Sequence, residues 1–377
     1  MKKLIGILIV VNLISCKQHS GVSYNQPFDK NDGLKVSNLS EHHFNKDNFE
    51  KISNEVAEGK YGKLQSILLI HNNELIIEQY YNGWNPDEVH YMASTTKSIS
   101  PILMGIAIDQ GKIKDVNQKM LDYFPQYGSL KADSLKYQIT IQDLLASTSG
   151  FAWDEVSLPI TDPENMGVKM DKMDNWLDAS LNLPMKTIPG TQYAYSGPNN
   201  IIIGEIIKVA TGQDVAEFAN DNLFKPLGID NYKWFAKNGI YDLGGGLELK
   251  SRDIAKYALL HINKGMWMDK QIVSSDWINK TFTPHIEIKH PLYGGYQWQM
   301  VKTEFGFDSW FIPGNGGQII NIVPDLDLVI VINADNKRIP KDERTPLEYL
   351  IKDLTKLHPK LNKCGVLLYK WRDQLSN

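Results

Sequence analysis

Tyr91-Met92-Ala93-Ser94-Thr95-Thr96-Lys97-Ser98, running on into Ile99-Ser100-Pro101-Ile102-Leu103-Met104-Gly105-Ile106, is the stretch on which the fold turns. Ile99, Leu103 and Ile106 recur at helical spacing and mark a buried helix begun by Ser94. Positions three apart share a helix face, so the Ser94 hydroxyl stands beside the Lys97 amine. A serine is a weak nucleophile until an adjacent base activates it. Lysine is that base only when neutral, and burial favours the neutral amine by penalising the charged form. The helix N-terminus adds N–H groups that steady an oxyanion. Ser94 is the only serine of the chain with lysine three residues on. Without chemistry, the same residues are an N-cap serine and a solvated lysine. Pro101 lacks an N–H and predicts a kink about two turns into a helix begun at Ser94.

Outward from this stretch lie two pairs of β-rich runs. Ser66 to Ile70 and Glu74 to Tyr81 flank Asn72-Asn73, a hairpin signal because asparagine tolerates positive φ. Ile319 to Val323 and Leu326 to Asn333 flank Pro324-Asp325, and their near-continuous Ile, Val and Leu predict strands covered on both faces. Helical patterns such as Ile201 to Ala210 and Ala216 to Asn222 fill much of the chain between. The expected class is α+β: an antiparallel sheet assembled from both chain ends, flanked by helices, with a mostly helical inserted region over about 112–243.

The 377 residues carry 40 basic and 44 acidic side chains, a net charge of -4, with 42% apolar residues. That is a globular composition without the basic surface that neutralises phosphates, so nucleic acid is not an expected partner. No Gly-rich phosphate loop, HExxH or GxSxG is present, and His42-His43 and the His285/His290 pair lack metal spacing; no cofactor or metal is expected. The two cysteines, Cys16 and Cys364, make no disulfide framework. Lys2-Lys3 followed by the short apolar run Leu4 to Ile14 reads as a secretory leader over 1–15. Residues 16–47 read as a polar tether, 48–360 as the folded domain and 361–377 as an extension.

Leu13-Ile14-Ser15-Cys16 resembles the lipobox of bacterial lipoproteins, which implies lipidation of Cys16 and a membrane-anchored protein of the bacterial cell envelope. The stretch from Tyr91 to Ser98 resembles the active-site segment of the serine β-lactamase and penicillin-binding protein superfamily, particularly its class C β-lactamase-like branch. Ile108 to Ile113 looks like the end of that family's nucleophile helix. Leu144-Leu145-Ala146-Ser147-Thr148-Ser149-Gly150 resembles its LLSHTSG segment, with Ser147 where histidine is usual. Pro189 to Gly197 is similar to the stretch that ends in Tyr-x-Asn. The resemblance covers roughly residues 60 to 335. It implies a β-lactamase/transpeptidase-like fold, with Ser94 as nucleophile, Lys97 as base and Tyr195 as second base serving the leaving group. Gly197 stands where the pattern has asparagine, and Asn199 and Asn200 are the nearby amides. Gly314-Asn315-Gly316-Gly317-Gln318 replaces the Lys-Thr-Gly strand that lines the site, so Asn315 stands for its cation; Lys302, Arg338 or another cation remains open as a substitute. The implied function is cleavage of an ester or amide in a small-molecule or peptide substrate through a Ser94 acyl-enzyme. The alternatives are a true β-lactamase or D,D-peptidase, and an inactive binding lipoprotein of the same fold.

Overall fold

The computed structural model describes residues 21–302, 307–339 and 345–359. Its centre is a nine-stranded sheet in the order Lys35–Val36, Glu74–Tyr80, Leu64–His71, Leu328–Ala334, Gln318–Val323, Asp308–Gly314, Gln299–Lys302, Leu292–Gly294 and Ile286–Lys289. Every neighbouring pair is antiparallel except the first, which is parallel. The two chain ends meet where Leu68 pairs with Val331 and Ile70 with Val329.

The first hairpin turns at Asn72 and Asn73, with φ of 52° and 62°, the left-handed pair that a tight turn requires. The second differs from expectation by two residues. Pro324–Leu326 winds into a short 3-10 turn and Asp327 takes φ 44°, so the strand begins at Leu328. Both faces of these strands are apolar. Leu68, Ile70, Ile320, Ile322, Val329 and Val331 join the large core under the helical region. Ile67, Leu69, Ile319, Val323, Leu328, Ile330 and Ile332 join a second core with the Lys46–Ala57 and Leu347–Thr355 helices. Full burial of such a side chain contributes roughly 1.5–3 kcal/mol, so these strands anchor both cores at once.

Two boundaries move. The chain leaves the main sheet at Tyr80 and rejoins it at Ile286, so the region over the sheet is wider than 112–243. The described part of the expected tether, residues 21–47, is packed: Tyr24, Leu34, Leu39 and Phe44 are buried. The Tyr24 hydroxyl donates to the Ile76 carbonyl at 3.0 Å and accepts from the Leu39 amide at 3.0 Å. The folded body therefore begins before residue 48. A polar average hid it, because four spaced apolar residues suffice to dock a segment. Cys16, the expected leader and residues 361–377 lie outside the described residues.

Candidate active site

Ser94 lies in a 3-10 turn, Ala93–Ser98, that passes into the Ile99–Asp109 α-helix. Hydroxyl back-bonding explains the tight turn: Thr95 Oγ1 donates to the Met92 carbonyl and Ser98 Oγ to the Thr95 carbonyl, both at 2.7 Å. Ala93 enters it at φ 48°, a conformation that costs an alanine about 1 kcal/mol. Because the α-helix starts only at Ile99, Pro101 sits in its first turn, where a missing N–H is tolerated, and the expected mid-helix kink does not arise. The Lys97 carbonyl that Pro101 cannot serve accepts from Ser100 Oγ at 2.7 Å.

Lys97 is 4% exposed, while Ser94 is half-buried and open to a cavity of about 590 Å³. Lys97 Nζ donates to the Gly244 carbonyl at 2.7 Å and to Ser94 Oγ at 3.2 Å. It lies 4.7 Å from the Tyr195 ring centre and stands 3.8 Å from Glu155 Oε1. Tyr195 is held by the next element, since Ser196 caps the Gly197–Thr211 helix by accepting from the Asn199 amide at 3.4 Å. The expected trio of Ser94, Lys97 and Tyr195 is thus brought together from two elements.

The protonation state expected of Lys97 is corrected. Desolvation pushes its pKa down, but Tyr195, then Glu155, and Asp242 push it up by more, leaving it above the ordinary lysine range. Burial of a lysine among these partners favours the ammonium. Asp242 is itself pushed upward, chiefly by desolvation, against the pull of Lys97 and the Gly244 and Gly245 amides.

Of the five residues expected to bind substrate, Gly314 and Asn315 line the cavity. Gly316 and Gly317, at φ 88° and 100°, instead make the turn behind it, where the Gly317 amide donates to the Gly314 carbonyl at 3.1 Å. Gln318 is buried on the far side of that turn, bonded to the Ala334 carbonyl and accepting from Asn333 Nδ2 at 3.1 Å. Gly314 is required by proximity, since a Cβ there would lie 2.7 Å from the Met92 carbonyl oxygen. Asn199 and Asn200 do not replace the absent amide at Gly197. Asn199 Nδ2 donates to the Leu144 carbonyl, and Asn200 bridges the Ser196 carbonyl, Gln297 and Ser100. Neither lines the cavity.

The polar residues of the cavity wall missed in the sequence include Glu155, Asp242, Gln299 and Lys337. None sits in a motif, and only the fold carries them to Ser94. Lys337 follows the last long strand and lines the cavity, its Nζ 3.8 Å from the Tyr91 ring centre; Lys302 and Arg338 are not in the wall. Burial lowers the Lys337 pKa. Trp153, Met170, Trp176 and Ile201 form an apolar side, and the segment Val156-Ser157-Leu158-Pro159-Ile160 overhangs it with Ile160 61% exposed. Among the described residues no group of three or more His, Cys, Asp or Glu is placed to hold a metal ion. His42 bonds Glu74 and His71, and His285 stacks on Tyr296.

A buried lysine bonded to a cavity-facing serine, with a tyrosine against it, on an antiparallel sheet flanked by helices, is the architecture of the serine β-lactamase and penicillin-binding protein superfamily. The Beta-lactamase family model matches residues 65–354, and the chain belongs to that family. It is 23% identical over 262 residues to the 6-aminohexanoate-dimer hydrolase of Paenarthrobacter ureafaciens, an alignment spanning 66% of this chain and 62% of that one. Among solved structures it superposes, at TM-score 0.67 and 21% identity, on a Bacillus anthracis protein that bears the name of a 6-aminohexanoate-dimer hydrolase, covering 80% of this chain and 79% of that one. A penicillin-binding protein from Bacillus halodurans superposes at TM-score 0.60 and 17% identity, covering 72% and 92%. At these identities the superpositions speak for the fold.

Proposed function

We propose that the protein is a serine hydrolase that cleaves an ester or amide through a Ser94 acyl-enzyme. The observation that carries this reading is the position of Lys97 Nζ, buried and 3.2 Å from a Ser94 Oγ that faces a cavity. We assign the role of proton acceptor to Tyr195, whose ring centre lies 4.7 Å from Lys97 Nζ. Ser94 Oγ attacks the acyl carbon and its proton passes to Tyr195. The leaving oxygen or nitrogen takes that proton as its bond to the acyl carbon breaks. Water then repeats the sequence: it forms the new bond to the acyl carbon, gives its proton through Tyr195, and Ser94 leaves with a hydrogen restored. Backbone N–H groups at Ser94 and in the Gly314–Asn315 edge are the donors we assign to the oxyanion.

The apolar wall of Trp153, Met170, Trp176 and Ile201 suits an uncharged, apolar group, so a short-chain ester is the preferred probe. Lys337 favours a second reading, in which a substrate carboxylate is met as in a β-lactamase or D,D-peptidase, from a different strand end. A charge-assisted contact of this kind contributes about 1.5–3 kcal/mol, or roughly one to two powers of ten. Steady-state kinetics on p-nitrophenyl butyrate and a chromogenic cephalosporin decide between them. A higher kcat/KM on the ester, unaffected by Lys337→Ala, supports the first reading; preference for the cephalosporin, lost in Lys337→Ala, moves the assignment to the second. We further propose that Cys16 carries a lipid anchor in the bacterial envelope, on the Lys2-Lys3 start, the short apolar run after it and the Leu-Ile-Ser-Cys junction. Cys16→Ser should release the protein from the membrane fraction, and retention there would refute the anchor.

A further inference from the structure

Glu155 and Gly197 occupy one space. Gly197 has an ordinary negative φ, so its backbone does not call for glycine, yet a Cβ there would lie 2.9 Å from Glu155 Oε2. That same oxygen accepts from the Gly197 amide at 3.2 Å and from Trp153 Nε1 at 3.0 Å. The other oxygen, Oε1, stands 3.8 Å from Lys97 Nζ. The side chain is 14% exposed, and its backbone is tied down by Asn165 Nδ2, which donates to the Glu155 carbonyl at 3.0 Å and to that of Leu158 at 2.8 Å. A side chain at 197 would therefore require the Glu155 carboxylate to swing aside and give up its bonds to the Gly197 amide and Trp153 Nε1.

We propose that Glu155 is the positioning residue of the Ser94 site: it holds the Lys97 ammonium charged and aimed between Ser94 Oγ and the Gly244 carbonyl, the task left vacant at Gly197. The proposal rests on the acyl-enzyme reading for its catalytic meaning, but its electrostatic core does not. An amide would offer Lys97 a dipole, whereas a carboxylate adds a full negative charge within about 4 Å, enough to move a neighbouring titration by one to three pH units. The titratable groups facing this cluster are Lys97, Tyr195, Tyr193, Asp242 and, further out, Tyr91 and Asp171. Removing the Glu155 charge favours every deprotonated form among them. The Lys97 titration should move toward acid.

Three variants test this: Glu155→Gln, Gly197→Asn, and the double variant Glu155→Ala/Gly197→Asn. Glu155→Gln keeps an acceptor for Trp153 and Gly197, so it should hold the wild-type Tm. Its pH profile for p-nitrophenyl butyrate acylation should move about one pH unit toward acid. Competitive acetylation of Lys97 by acetic anhydride, read by peptide mass spectrometry, should show its labelling midpoint fall by the same amount. Gly197→Asn alone should lower Tm and cost at least about tenfold in acylation; adding Glu155→Ala should recover both, because the two side chains no longer compete. An unchanged Lys97 labelling midpoint in Glu155→Gln, or losses that simply add in the double variant, would overturn the proposal. A shifted midpoint with no Ser94 adduct in any variant would uphold it and instead sink the hydrolase reading.

Discussion

Lys97 is the residue whose reading changed most between sequence and structure. Its spacing from Ser94 was legible because a three-residue interval fixes geometry in any helix, 3-10 or α. Its charge was not, because the groups that raise its pKa, Tyr195 first and then Glu155 and Asp242, stand 58 to 145 residues further along the chain. Lys97→Ala removes a hydrogen-bond donor to Ser94 and the cation beside Tyr195 while leaving Glu155 and Asp242 facing the gap. Acylation should fall by a factor on the order of 10²–10³ in stopped-flow assays, the usual contribution of one preorganised electrostatic donor. A loss under about fivefold would mean that Lys97 is only a structural ion.

At the scale of elements, the Asp308–Gly314 strand and the Ala93–Ser98 turn are pressed together through Gly314. The sequence showed that 314–318 was glycine-rich and preceded a buried strand, but not which residues faced the cavity. That division follows from the turn: Gly316 and Gly317 reverse the chain and carry Gln318 behind the wall. Gly314→Ala would set a methyl 2.7 Å from the Met92 carbonyl oxygen and 2.9 Å from Gln318 Cβ. Overpacking of this kind costs about 1–3 kcal/mol, and the turn that carries Ser94 must yield to relieve it. The expected result is a lower urea midpoint together with a fall in kcat/KM, and an unchanged midpoint would show that strand and turn are not in tight register. The first hairpin, by contrast, was legible from Asn72-Asn73, whereas the second was legible as a strand pair but not in its turn, which runs two residues further, to Asp327.

For the whole molecule, the segment before residue 48 shows why composition misled. Its docking depends on charge as well as on Tyr24, Leu34, Leu39 and Phe44. Arg252, 3% exposed, bonds Glu78 bidentately at 2.8 Å, Asp32 at 3.1 Å and the Phe28 carbonyl at 2.6 Å, so one side chain clamps helix, strand and N-terminal segment. Arg252→Ala leaves the Glu78 carboxylate without its cation and Asp32 with Lys256 alone, 3.7 Å away, and breaking a buried pair from one side costs about 3–5 kcal/mol. Chemical unfolding should register that loss together with faster proteolysis near Phe28; a change below about 1 kcal/mol would mean the segment is held by its apolar residues alone. The joining of both chain ends in one sheet, legible from two separated hairpins, is what sets the Ser94 turn against the Gly314 edge and gives the fold its site. That site's central claim, a covalent Ser94 acyl-enzyme, is tested most directly by the intact mass of the protein after incubation with a fluorophosphonate, followed by peptide mapping. The account predicts one adduct per chain, located on Ser94 and absent from Ser94→Ala; an adduct on another residue, or none on a folded protein, would contradict it.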